Sequence, residues 1–157
     1  MCVTLDDYLR FQHLNVTAEM SPSMFFVHPL TAASGGLMDW NFAQMIRSGA
    51  HVTIGSDWAF QDPDLLPACK EIVAGVAGAM PAGGPADRQA AEAICRMLTM
   101  AGAEATGSEG KSGSIELDKK ANFIMLDRDL SHGEFEGAKV LGTWFEGERV
   151  WDSGTSE

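Results

Sequence analysis

Basic residues are scarce in this sequence. It contains 11 lysines and arginines against 22 aspartates and glutamates, which gives a formal net charge of -11 at pH 7. A surface of this charge repels the phosphates of nucleic acids and of anionic lipids. Long apolar segments are also lacking: no run approaches the roughly 20 residues of a membrane-spanning helix, and no signal-peptide pattern opens the chain. The composition therefore argues against nucleic acid and membrane as partners.

Cysteine is the next shortage, since the chain contains only Cys2, Cys69 and Cys95. An odd number without the close spacing of metal-binding motifs predicts neither a disulfide framework nor a cysteine-based metal site. Cys69 and Cys95 fall in segments of helical periodicity, where a free cysteine behaves as a small apolar core residue. Free core thiols are typical of a reducing compartment, so we predict a cytoplasmic protein.

The length and composition of the sequence are those of one globular domain. Its 157 residues are 45% hydrophobic and 21% charged, as in soluble folded proteins. Apolar periodicity predicts helices over residues 4–12, 39–48, 62–76 and 87–101, and strands over residues 14–20 and 51–54. Asp62-Pro63 predicts the start of the third helix, but Pro67 also suits a helix start, so two starts one turn apart remain open. Gly102 predicts the end of the fourth helix. This alternation is typical of an α/β architecture with parallel strands.

After Gly107 the pattern changes to that of β structure. Glycines separate short apolar runs, which predict antiparallel strands over residues 122–126, 139–145 and 149–151. Glu146-Gly147 lies between the last two runs and predicts a tight hairpin turn. We therefore divide the chain into an α/β part, residues 1–105, and a β-rich tail, residues 106–157.

The α/β part is organised around the segment from His51 to Trp58. Residues 51–54 form a short apolar run between two glycines, as expected for a buried parallel strand. Ligands and catalytic groups in α/β folds gather at the carboxyl ends of such strands, where Asp57 lies. Asp57 is therefore a candidate catalytic residue, although an aspartate after a strand also serves as a loop cap or turn residue. Trp58 is either a pocket wall or a core anchor.

Three stretches together resemble the amidohydrolase superfamily, and within it the metal-dependent hydrolases called amidohydrolase family 3. Val52-Thr-Ile-Gly-Ser-Asp-Trp58 resembles the eighth strand of the family's (β/α)8 barrel, which ends in a catalytic aspartate. The segment that starts with Lys111-Ser-Gly-Ser-Ile-Glu-Leu-Asp118 and runs to Asp129 resembles the connection from the barrel into a small β-sandwich. Here Asp118 and Asn122 stand where the family has glycine and aspartate. Thr143-Trp-Phe-Glu-Gly-Glu-Arg-Val-Trp151 resembles the family's final hairpin.

The resemblance implies a fold of the α/β class. In it, this chain is the C-terminal fragment of a (β/α)8 metal-dependent hydrolase barrel, followed by strands of a small composite β-sandwich. Residues 15–20 correspond to barrel strand seven and residues 51–54 to strand eight. Strands one to six have no counterpart in this sequence.

The resemblance also implies a chemistry, the hydrolysis of a non-peptide carbon–nitrogen bond in a small amide-type substrate. A divalent metal, zinc by our prediction, activates water in such enzymes. By resemblance, Asp57 is a metal ligand and the proton shuttle, and Trp58 is a substrate-binding residue. The family's other ligands lie on strands that are absent here, and a catalytic zinc takes about three protein ligands. We therefore expect this chain alone to retain no metal.

Two further side chains remain open candidates for the same site. His28 is the histidine placed beyond strand seven, where it can approach Asp57. Glu19 lies near the carboxyl end of strand seven and can point into the barrel. For each of them the alternative is a solvated side chain without a role in catalysis.

Two functions from different classes also remain open. The first is the metal-dependent hydrolase, of which this chain is a part. The second is a truncated, catalytically inactive paralogue that acts as a binding or interaction module. Under either one, strands seven and eight lack the neighbours with which barrel strands pair, so we predict self-association of the isolated chain.

Overall fold

The computed structural model describes residues 3–21, 33, 41–58, 62–82 and 84–154. Helices alternate with two strands and then give way to a β-rich tail, in the order that the sequence predicts. The elements are α1 (Leu5–His13), β1 (Thr17–Met20), α2 (Phe42–Arg47), β2 (His51–Ile54), α3 (Leu66–Ala77), α4 (Ala86–Leu98), α5 (Met100–Ala105), β3 (Phe123–Leu126), a 3₁₀ helix (Leu130–His132), β4 (Val140–Phe145) and β5 (Glu148–Asp152). No helix among the described residues has both the length and the apolar character needed to cross a membrane.

β1 and β2 form a parallel two-stranded sheet, which confirms the predicted relation of these strands. Ala18 lies opposite Val52, and Met20 lies opposite Ile54. Because side chains alternate along a strand, these four residues share one face of the sheet, and that face packs into the core. β1 begins later than predicted because Asn15 adopts a φ of 52° in the turn that follows α1.

The helices cover this apolar face and form one core with it. The buried members of the core are Tyr8, Ala18, Met20, Phe42, Met45, Val52, Cys69, Ile72, Val76, Ala90, Ala91, Ile94, Met97 and Phe135. Cys69 is fully buried, as its helical position predicts, and burial raises the pKa of its thiol to about 12. Since the thiolate is the reactive form, Cys69 is a packing residue and not a nucleophile.

α3 begins at Leu66 with Pro67 in its first turn, which is the later of the two starts, one turn apart, that the sequence left open. Aspartate side chains form local turns before it. Asp62 Oδ1 accepts from the Asp64 N–H at 2.9 Å, and Asp64 Oδ1 accepts from the Leu66 N–H at 3.0 Å. Such side-chain acceptors compete with helical backbone bonds, so they delay the helix by one turn.

The prediction of one helix over residues 87–101 is wrong, because the chain breaks at Thr99. Thr99 has φ -128° and ψ -91°, which separates α4 from α5. Its hydroxyl donates to the carbonyl oxygen of Cys95 at 2.8 Å, a bond that caps the end of α4. Gly102, the predicted stop, lies inside α5, and the turn beyond α5 places Gly107 at a φ of 66°.

The tail folds as an antiparallel sheet with β4 between β3 and β5. Glu146 and Gly147 have φ values of 50° and 87°, as in the two-residue turns that suit hairpins, so the predicted hairpin is confirmed. Phe123 stacks on Trp144 with 4.9 Å between ring centroids, and the Arg149 guanidinium lies 5.1 Å from the same ring. The described tail strands form this one sheet, so the β-sandwich remains a prediction.

We expect the isolated chain to self-associate at micromolar concentration. Each strand of the parallel sheet has one edge without a described neighbour, and Leu14 and Val16 are exposed beside it. Open strand edges and apolar patches recruit other chains. The net charge of -11 opposes association, but salt screens charge within about 8 Å at physiological ionic strength. Analytical ultracentrifugation checks this, and a monomer that unfolds in one cooperative transition would contradict it.

Candidate active site

β2 ends in a tight loop that presents Asp57 and Trp58 to solvent. Gly55 continues the sheet by one bond, since its N–H donates to the carbonyl oxygen of Met20 at 3.1 Å. The backbone then turns at Asp57, whose φ is 55°. This left-handed conformation costs an L-residue roughly 1–2 kcal/mol, although aspartate tolerates it better than most residues. The turn closes where the Trp58 N–H donates to Ser56 Oγ at 3.3 Å.

The carboxylate of Asp57 is exposed at the carboxyl end of the parallel sheet. Among the described residues it takes part in no hydrogen bond or ion pair, so no described backbone N–H uses it as a cap. Non-glycine residues held in the left-handed region concentrate at functional sites. The backbone of Asp57 thus makes the turn, while its side chain stays available for chemistry.

Trp58 is not a core anchor, because 70% of it is exposed. Buried tryptophans normally surround the ring with apolar neighbours and pair the indole N–H. Here the ring stands directly beside Asp57 on the same loop. The role of Trp58 as a pocket wall therefore stays a prediction.

Glu19 belongs to the same end of the sheet. It is the third residue of β1 and lies opposite Thr53, on the face away from the apolar core. Its carboxylate lies against Gly55: a Cβ at Gly55 would stand 2.0 Å from Glu19 Oε1. Glu19 is exposed, and within the described part of the chain its side chain has no hydrogen-bond or ion-pair partner.

The opposite end of the sheet carries a structural network. His51 Nδ1 lies 2.9 Å from Thr17 Oγ1, and His51 Nε2 lies 3.0 Å from Glu104 Oε2. Arg96 donates to the other oxygen of Glu104 at 2.6 Å. The Arg96 guanidinium and then His51 hold the pKa of Glu104 below its usual range. His51 therefore ties α5 to the amino ends of both strands, on the side away from Asp57.

The described residues do not make a metal site by themselves. Asp57 and Glu19 are described carboxylates at the carboxyl end of the sheet, and His28 lies outside the described residues. No group of three or more histidine, cysteine, aspartate or glutamate side chains in the described ranges is arranged to hold an ion. A catalytic zinc takes about three protein ligands. The ligands of any metal at Asp57 must therefore come largely from elsewhere.

Comparison with known sequences points to one family. A sequence profile of the amidohydrolase family matches residues 2–151. A curated relative is an N-substituted formamide deformylase of Arthrobacter pascens, which is 38% identical over 66 residues. Those residues make up 40% of this chain and 12% of the relative. The match therefore reaches a small part of that protein.

Two solved structures share the fold. An adenosine deaminase from Xanthomonas campestris with bound zinc superimposes with a TM-score of 0.69 at 20% identity. An amidohydrolase from Thermotoga maritima superimposes with a TM-score of 0.63 at 18% identity. In each case the match covers 94% of this chain and 34% of the other. The chain thus spans about a third of the length of either structure.

Proposed function

Because this chain belongs to the amidohydrolase family, we propose that it is the C-terminal part of a metal-dependent hydrolase that cleaves a non-peptide carbon–nitrogen bond in a small amide-type molecule. The observation that carries the proposal is the position of Asp57, an exposed carboxylate at the carboxyl end of a parallel strand. In this proposal β1 and β2 are barrel strands seven and eight. The complete protein is then this chain together with the remaining barrel segments.

Asp57 acts as the proton shuttle of the reaction. Its carboxylate accepts a proton from the attacking water while the water oxygen bonds to the carbonyl carbon. The carbon–nitrogen bond then breaks, and Asp57 returns the proton to the departing amine nitrogen. Since no described residue occupies its carboxylate, Asp57 needs no rearrangement of the described loop to do this. Trp58 forms one wall of the substrate pocket beside it.

The metal of the proposed enzyme is zinc, and Asp57 is one of its ligands. The described residues offer no complete ligand set. The other ligands therefore come from the barrel segments that complete the protein. The metal-binding capacity of this chain alone is accordingly a separate question from the activity of the complete protein.

We expect the isolated chain to lose zinc on dialysis, because the described residues give Asp57 no set of ligand partners, and a catalytic zinc takes about three protein ligands. After incubation with zinc chloride and dialysis against metal-free buffer, elemental analysis should give far less than one ion per chain. The Asp57→Asn chain is the matched control and should give the same value. A stoichiometric ion that survives dialysis in the unmodified chain and is lost in the control would contradict the proposed division of ligands.

Amine release by the complete protein tests the proposed function itself. N-substituted formamides are the first substrates to try, because the curated relative is named for them. A fluorogenic amine reagent detects the product. Release that depends on Asp57 supports the hydrolase. No release from any small amide, with zinc supplied, would overturn it in favour of the inactive binding module.

A further inference from the structure

The face of the parallel sheet opposite the core is polar. Thr17 and Glu19 project from β1 on this face, and His51 and Thr53 project beside them from β2. Gly55 directly follows β2 and continues this face of the sheet. At the amino end, Thr17 and His51 are bonded to each other. Only Glu19 in this row carries a charge without a described partner, and it stands at the Asp57 end.

The Glu19 carboxylate lies directly over Gly55. A Cβ at Gly55 would be 2.0 Å from Glu19 Oε1, so a glycine is required for the carboxylate to lie flat on the strand. Gly55 and Asp57 are two residues apart, and consecutive Cα atoms are about 3.8 Å apart. The Glu19 carboxylate therefore lies over a residue whose Cα atom is at most about 7.6 Å from the Cα atom of Asp57.

Charge decides what Glu19 can recognise. In the proposed enzyme the zinc ion offsets the charge of Asp57, whereas Glu19 keeps its negative charge, since no lysine or arginine of the described residues pairs with it. A carboxylate only accepts hydrogen bonds, and its strongest partners are positively charged donors. A neutral apolar substituent gains nothing from this position.

We propose that Glu19 is a specificity-determining residue, whose carboxylate binds a positively charged group on the amine portion of the substrate. This inference rests on the proposed function and names the substrate class of the same site. Asp57 handles the proton of the reaction, and Glu19 selects amides whose amine portion carries an ammonium group. The absence of a side chain at Gly55 leaves the space that the Glu19 carboxylate occupies.

A pair of isosteric substrates tests whether the protein prefers a positively charged amine portion. N-(2-aminoethyl)formamide carries an ammonium group where N-propylformamide carries a methyl group. We expect the complete protein to prefer the first, and Glu19→Gln to lower the ratio of the two kcat/KM values about 10-fold to 100-fold, mainly through KM. An unchanged ratio would overturn the role of Glu19. Glu148→Gln, an exposed glutamate on β5, is the matched control and should leave the ratio unchanged.

Gly55→Ala tests the same carboxylate without removing it. Gly55 is not in the left-handed region, and the atom that its new Cβ meets is the end of a flexible side chain. The protein should therefore fold, with Glu19 turned away from its position. We expect the substrate ratio to fall in the same direction as in Glu19→Gln. A ratio equal to that of the unmodified protein would show that the position of Glu19 is irrelevant.

Kinetic and binding measurements together distinguish a failure of this inference from a failure of the proposed function. If Asp57→Asn slows both substrates alike while Glu19→Gln leaves their ratio unchanged, the hydrolase stands and the role of Glu19 falls. If the complete protein cleaves neither substrate, calorimetric titration with N-(2-aminoethyl)formamide decides. A Kd raised about 10-fold or more by Glu19→Gln supports the recognition role without catalysis. An equal Kd overturns it.

Discussion

Replacing Asp57 by asparagine in the complete protein is expected to lower kcat by about 10²–10⁴-fold, the usual worth of a general base. The amide keeps the size of the side chain and tolerates the φ of 55° at least as well as aspartate does. It removes the proton acceptor and also one of the proposed zinc ligands, so both proteins are compared at saturating zinc. KM should change much less, because substrate binding does not depend on proton transfer. Steady-state kinetics of amine release measure both constants.

Asp118 provides the matched control for this substitution. It is an exposed aspartate with a φ of 68°, so Asp118→Asn makes the same chemical change in the same kind of backbone. It lies in the tail, in the segment that follows α5. We expect near-unchanged turnover for it. Near-unchanged turnover for Asp57→Asn as well would return Asp57 to the role of a turn residue.

Phe135→Ala is expected to be the most destabilising single change in the tail. Phe135 is fully buried and is the largest such side chain in the described part of the chain. It belongs to the core formed by the helices and the parallel sheet, although it lies in residues 106–157. Truncating a buried phenylalanine costs about 3–5 kcal/mol, a large share of the roughly 5–15 kcal/mol of a typical domain. Urea denaturation of the complete protein measures the loss.

Phe145→Ala is the control for that experiment, because Phe145 is 57% exposed in the same tail. We expect it to cost less than about 1 kcal/mol, as exposed substitutions generally do. Similar losses for the two variants would mean that Phe135 does not anchor the tail. A large loss at Phe135 alone would show that this side chain anchors the tail to the helices.

Local patterns were sufficient to predict most of the elements. The alternation of apolar residues placed β1, because burying one face of a sheet demands it, and a short apolar run between two glycines placed β2. Glu146-Gly147 identified its hairpin, because few residue pairs adopt two consecutive positive φ values. Cys69 was correctly expected in the core on helical spacing alone. In each case the determining physics acts within a few residues of the chain.

The element boundaries depended on interactions that periodicity does not contain. The hydroxyl of Thr99 bonds back to the carbonyl of Cys95 and coincides with the break between α4 and α5, although an apolar stripe continues across it. Asp62 and Asp64 compete for backbone N–H groups and shift the start of α3. A sequence pattern shows that such side chains are present, but not whether they bond locally or face solvent.

The candidate site divides in the same way. The pattern of a short apolar strand followed by a loop was enough to make Asp57 a candidate site residue. The exposure of Trp58 was not predictable, because an aromatic residue after a strand suits a core as well as a pocket. The contacts of Glu19 with Gly55 and of His51 with Glu104 join distant segments. Only the folded chain brings these residues together.

A crystal structure of the complete protein with a bound, non-hydrolysable analogue of N-propylformamide is the most direct test of the account. We expect a carboxylate oxygen of Asp57 to lie about 2.6–3.2 Å from the water poised to attack the carbonyl carbon, or from the amide nitrogen. We also expect Trp58 to contact the analogue. An analogue bound away from the end of β2, with no water joining it to Asp57, would contradict the assignment of the active site.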